Sequence, residues 1–152
     1  MTPRIPLMLC ATFAAMLAAS EARADCTVEY TDIQFPVYDV FAAKAVDATG
    51  TIRYKCAQEQ QNVTPLIRIS LGEGPDKTFE RRMTRSAETL RYNVFLDPQR
   101  TVVWGDGSRG TLAYTAACCA VFSTANLYGR IFPGQDVGAG SYHDTIVVTI
   151  EF

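Results

Sequence analysis

Hydrophobic and polar residues alternate singly along much of the chain. Thr51-Ile52-Arg53-Tyr54-Lys55-Cys56 places Ile52, Tyr54 and Cys56 on one face, and Leu66-Ile67-Arg68-Ile69-Ser70-Leu71 turns Ile67, Ile69 and Leu71 inward. Leu90-Arg91-Tyr92-Asn93-Val94-Phe95-Leu96 repeats the pattern, and the segment from Thr145 to Phe152 sets Ile146, Val148, Ile150 and Phe152 on one side. A period of two fits antiparallel strands with one face on a core and the other in water. After residue 25 no helical stripe is sustained, and Phe41 to Asp47 has room only for a short helical turn. Turn residues separate the runs: Ala48-Thr49-Gly50, Gly72-Glu73-Gly74-Pro75-Asp76, Asp97-Pro98, Gly105-Asp106-Gly107, Pro133-Gly134 and Gly138-Ala139-Gly140. Short strands punctuated this way predict one all-β domain, a β-sandwich.

The N-terminus breaks the alternation. Arg4 precedes an apolar run from Leu7 to Ala19, and Ala22-Arg23-Ala24 has the small-x-small form of a cleavage site. Residues 1–24 are therefore predicted to be a signal peptide, and residues 25–152 the folded domain. The apolar run is shorter than the roughly 20 residues a membrane span needs, so no transmembrane segment is expected. At 48% hydrophobic and 20% charged, the composition is that of a folded protein and not of a disordered one. The net charge of −2 moves to −3 when Arg4, Arg23 and Glu21 leave with the leader. That balance excludes a protein built to hold nucleic acid through counterion release.

Candidate chemistry is sparse. His143 is the single histidine, which leaves few metal sites open, and neither a metal nor a cofactor is expected. Ser141, His143 and Asp144 contain the residue types of a nucleophilic triad, but triad members must converge in space, and strand neighbours point apart. Asp97 and Asp106 sit at turns, where carboxylates cap backbone N–H groups. Lys77, Arg81, Arg82, Arg85 and Arg91 form one basic cluster, expected as a solvated face, with a local anion patch as the alternative. Asn62-Val63-Thr64 matches a glycosylation acceptor but is followed by Pro65. The chain is not expected to be an enzyme.

Four cysteines remain beyond the leader: Cys26, Cys56, Cys118 and Cys119. An even number in an exported chain reads as disulfides, with three connectivities open. Cys26 and Cys56 each lie at a predicted strand. Cys118 and Cys119 admit three states: buried or free thiols, a vicinal disulfide, or a bridge to another chain.

Taken in order, Cys26-Thr27-Val28, Gly50 to Cys56, Arg81-Arg82-Met83, Leu90 to Asp97, Arg100 to Gly107, Tyr128-Gly129-Arg130-Ile131 and Gly140 to Phe152 resemble the spore coat protein U domain family. The resemblance implies an immunoglobulin-like β-sandwich that lacks its final strand and is completed by donor-strand complementation. It implies a disulfide between Cys26 and Cys56, and a groove bordered by the last strand with Ile146, Val148, Ile150 and Phe152. Implied partners are a periplasmic chaperone, an outer-membrane usher and neighbouring pilus subunits, as in archaic chaperone–usher pili. The implied location is the periplasm, then the cell surface. Cleavage after Ala24 leaves only Asp25 ahead of Cys26. The expectation is accordingly a strand acceptor without a donor extension, at a tip or terminal position. The alternative is a stand-alone secreted or surface binding module, with exposed aromatics such as Phe95 or Tyr114 forming a ligand surface.

Overall fold

The computed structural model describes residues 26–56, 64–70, 80–116 and 121–151. They form β1 (Cys26–Thr31), β2 (Val46–Cys56), β3 (Leu66–Ile69), β4 (Arg81–Arg85), β5 (Glu88–Phe95), β6 (Tyr114–Thr115), β7 (Ser123–Ile131) and β8 (Val148–Glu151), with no helix among the described residues. Five strands make one sheet in the order β1-β2-β7-β5-β4, and three make a second in the order β6-β3-β8. Every pairing within the sheets is antiparallel.

The alternation read from the sequence sets the inner faces. Ile52 and Tyr54 of β2, Leu90, Tyr92 and Val94 of β5, and Ala125, Leu127 and Ile131 of β7 point in from the larger sheet. Ile67 and Ile69 of β3 meet them from the smaller sheet. Trp104 fills the space between, and its indole N–H donates to the Ile67 carbonyl at 3.0 Å. Burying that apolar surface is the main favourable term in folding.

Alternation fails where both faces of a strand are covered. Asn93 and Phe95 are buried together with their neighbours Tyr92 and Val94, because residues 97–104 fold back over the end of β5. Leu96 N–H donates to Val102 O, and Trp104 N–H to Val94 O, both at 2.9 Å. Asp97 anchors this return as predicted, accepting the backbone N–H groups of Thr101 and Val102. Phe95 is therefore 6% exposed and cannot serve as the surface aromatic expected above. Tyr114 is half-buried and lies tilted over Trp104, with ring centroids 5.6 Å apart.

Two further expectations give way. Phe41 to Asp47 forms no helix: Asp39 caps a turn by accepting the Phe41 N–H at 2.9 Å, and the chain enters β2 at Val46. Ala48-Thr49-Gly50, expected as a turn, is uninterrupted strand paired with Leu127 to Gly129 of β7. Gly50 is there for closeness and not for a bend. A Cβ on it would lie 2.7 Å from the Thr31 carbonyl oxygen and 3.0 Å from the Ile33 side chain. Gly129 opens the same space on β7, where a Cβ would come within 2.6 Å of the Phe35 ring. The segment after β1 thereby lays Ile33 and Phe35 across the inner face of the larger sheet, and Phe35 meets Tyr92 edge-on at 5.7 Å.

Overpacking of this kind costs about 1–3 kcal/mol. Gly50→Val is expected to lose at least that much, because the clashing atom is backbone and cannot rotate away. Urea denaturation of the variant beside the parent chain checks this, and an unchanged midpoint would show that the close approach is not required.

Candidate strand-binding groove

β1 is an edge strand of the larger sheet and β8 an edge strand of the smaller one. Each has one side that makes no ladder among the described residues. Both line an apolar groove of about 1610 Å³ that opens onto the core. Its floor is the inner face of the larger sheet, including Ile52, Met83, Leu90, Tyr92 and Leu127. Alternation along β1 turns Cys26, Val28 and Tyr30 toward the groove, opposite Cys56, Tyr54 and Ile52 of β2. In a closed sandwich those side chains would be core; here Val28 is 45% and Tyr30 75% exposed. On β8, Val148 and Ile150 face inward opposite Ile69 and Ile67, and Val148 is 38% exposed.

Three of the four groove residues inferred from the sequence can be located on this cavity. Ile146, Val148 and Ile150 line it, whereas Phe152 lies outside the described residues. The regular strand is shorter than the alternation suggested. It begins at Val148; ahead of it the Ser70 N–H donates to the Val147 carbonyl at 2.9 Å, and Arg81 holds Asp144 and Thr145. Cys26 lines the groove and is disulfide-bonded, and its register partner on β2 is Cys56. Cys118, Cys119, Lys77 and Asn62 lie outside the described residues. The contributions of β1 and of Ile33 and Phe35 escaped the sequence reading; the alternation of Cys26, Val28 and Tyr30 was the available signal.

A buried ion pair sets the position of the chain that leads into β8. Arg81 of β4, 3% exposed, donates through Nε and Nη2 to Asp144 Oδ2 at 3.1 and 2.9 Å. The same guanidinium reaches the Ser70 carbonyl beyond β3 and the Thr145 carbonyl. Tyr92 accepts from Arg81 Nε at 3.0 Å and donates to Asp144 Oδ2 at 2.7 Å. Burial pushes the Tyr92 phenol well above its ordinary pKa, so it keeps the proton it donates. One arginine thus ties the edge of the larger sheet to the ends of two strands of the smaller one.

A second tie holds residues 138–142 along the same groove. Glu88 of β5 accepts from Tyr142 Oη at 2.8 Å and from the Gly138 N–H at 3.0 Å, and pairs with Arg85 at 2.9 Å. The Tyr142 bond, then the Gly138 amide and Arg85, hold the Glu88 carboxyl below its usual pKa. The main chain of His143 pairs with Thr84 of β4 at 2.8 and 3.2 Å.

These contacts correct the expected solvated basic face. Arg81 is interior, Arg85 belongs to the Glu88 tie, and Arg82 and Arg91 stand opposite each other on the outer face. They also occupy Asp144, so Ser141, His143 and Asp144 form no hydrogen-bonded triad. Among the described residues no three His, Cys, Asp or Glu side chains are grouped to hold a metal ion.

Removing one partner of a buried ion pair typically costs about 3–5 kcal/mol, whereas replacing both with apolar residues often costs little. Arg81→Met is expected to destabilise by about 3 kcal/mol, since Asp144 keeps some contact with water. Arg81→Met combined with Asp144→Leu is expected to recover most of that loss. Chemical denaturation of the two single variants and the double variant checks the coupling. Strictly additive losses would show that the pair is not a unit.

Comparison with known proteins agrees with this architecture. The Spore Coat Protein U domain matches residues 12–149. Protein U of Myxococcus xanthus is 32% identical over 134 residues, covering 79% of this chain and 71% of that protein. Among solved structures, a chain of the CsuC–CsuE chaperone–tip adhesion subunit pre-assembly complex, from the archaic chaperone–usher Csu pili of Acinetobacter baumannii, superposes with a TM-score of 0.61 at 19% identity. That alignment covers 85% of this chain and 40% of the other. The shared fold is the immunoglobulin-like sandwich. Sequence match, curated relative and fold converge, and the chain belongs to the spore coat protein U domain family.

Proposed function

We propose that the chain is an exported structural subunit of a surface fibre or coat, assembled by accepting a β-strand into its groove. The observation that carries this reading is the groove itself. Side chains of β1 and β8 that belong to the core by register stay partly in water, beside strand edges that make no further ladder among the described residues. An added strand would satisfy both needs at once, pairing its main chain with an edge and laying alternate apolar side chains on the floor. Family membership and the fold shared with a chain of a chaperone–subunit complex support it.

In this reading residues 1–24 direct export and are removed. A periplasmic chaperone shields the groove, an outer-membrane usher receives the complex, and a neighbouring subunit supplies the strand that stays. Ile146, Val148, Ile150 and Phe152 form the side of the groove that the strand meets. Cys26 pairs with Cys56 across β1 and β2, which fastens the first strand of the groove to its neighbour in the sheet.

Co-expression with a candidate periplasmic chaperone tests the assignment. The chain is expected to co-purify with the chaperone. Purified alone, it is expected to aggregate unless given a peptide of about ten residues with alternating apolar positions, a strand's length. Ile150→Asp on the groove side should abolish capture, while Thr149→Asp on the opposite face of β8 should not. A stable monomer that ignores both chaperone and peptide would overturn the proposal.

The disulfide has its own test. Peptide mapping of the unreduced, exported protein should recover Cys26 joined to Cys56, and Cys56→Ser should lower stability by about 2–5 kcal/mol. Cys26 recovered with a different partner would remove that part of the reading.

A further inference from the structure

We propose that the outer face of the larger sheet carries an oxyanion-binding site built on Arg82 and Arg91, on the side of the sheet away from the groove. Alternation along the β4–β5 hairpin turns Met83, Leu90 and Tyr92 to the groove, and Arg82 and Arg91 to the opposite surface. The two arginines are direct cross-strand partners. Like charges placed opposite each other destabilise a strand pair, and an anion between them would offset that repulsion.

Arg91 has part of its charge answered. Its guanidinium lies 3.6 Å from the Glu80 carboxylate, and its Nε donates to Gln135 Oε1 at 3.3 Å. Arg82 makes no ion pair or hydrogen bond among the described residues, and its Nε is shielded from solvent without a partner. A shielded donor left unmet costs about 1–3 kcal/mol, and in folded proteins such a group usually marks a bound water or ion.

Both arginines open into a polar pocket of about 330 Å³ that also takes in Thr89, Gln135 and Asp136. Its wall is rigid. The buried Gln135 accepts the Arg91 N–H at 2.6 Å and donates to the carbonyls of Arg91 and Phe132 at 2.8 and 2.7 Å. Its own N–H donates to Tyr38 Oη at 2.8 Å. Asp136 contributes the one carboxylate among the pocket-lining residues, and it pairs with neither arginine within 4.0 Å. Two guanidinium groups beside a threonine hydroxyl suit a planar carboxylate or a phosphate group, which guanidinium forks bind through paired hydrogen bonds. The volume admits a group the size of one sugar ring, at the lower end of small-molecule sites. The ligand class is a carboxylate or phosphate monoanion or dianion on a body no larger than one sugar ring, held by its oxyanion. Because the site faces away from the groove, it stays open when a strand fills the groove.

Glucuronate, glucose 6-phosphate and neutral glucose, titrated at low salt into the full chain with its groove filled by the strand peptide and followed by NMR shifts of the β4–β5 amides, provide the test. One or both anions should bind with millimolar affinity, weaken as salt is raised, and outcompete glucose. Which anion binds more tightly decides between carboxylate and phosphate. Arg82→Gln should weaken binding at least tenfold without changing the far-UV spectrum or strand acceptance. Asp136→Asn should tighten binding, because it removes the competing charge; a merely structural role for the loop would not. Failure of both anions to bind, equal binding of glucose, or indifference to Arg82→Gln would overturn the proposal.

Discussion

A five-stranded sheet cannot be covered by a three-stranded one. At about 4.8 Å per strand the larger sheet is, among the described residues, about 10 Å wider than its partner, and its inner face is apolar from β1 to β5, with Arg81 of β4 at its margin. The uncovered part must meet something other than water, since exposed apolar surface and open strand edges both favour association. The segment carrying Ile33 and Phe35 covers one portion, lying close because Gly50 and Gly129 present no side chain. The remainder is the groove between β1 and β8.

Keeping such a groove open requires that the two sheets neither collapse together nor drift apart. Apolar packing alone is non-directional and would tolerate either movement. Hydrogen bonds from Arg81 are directional, and they reach Asp144, Tyr92, Ser70 and Thr145 at once. Glu88 does the same for Tyr142 and Gly138. Among the described residues the chain between β7 and β8 is tied by the bridge at His143, by the main-chain bond from Ser70 to Val147 and by these side chains. The result is a hydrogen-bonded border along the groove.

Legibility in the sequence followed how local each feature is. Period-two alternation exposed β3, β5 and the second half of β2, because it depends only on neighbouring residues sharing one environment. The same rule placed Ile146, Val148 and Ile150 on one side of the last segment. It misjudged Phe95, since a return of the chain at residues 97–104 buried the face that alternation assigned to water. Glycine was misread at Gly50 for a related reason: turns and close approaches both select the residue without a Cβ, and only the position of Thr31 and Ile33 tells them apart.

Alternating residues and turn punctuation by themselves determined an all-β sandwich, and the ordered motif blocks determined its family. The tertiary structure decided which charged residues are interior and which edges stay open. Arg81, Arg82, Arg85 and Arg91 read as one basic run, yet register sends them to different faces, where they acquire a buried partner, an exposed partner or none among the described residues. Pairing across residues far apart in the chain sets that outcome, as when Arg81 meets Asp144. No local pattern encodes a contact between residues so distant, because its energy exists only once both sheets are in place.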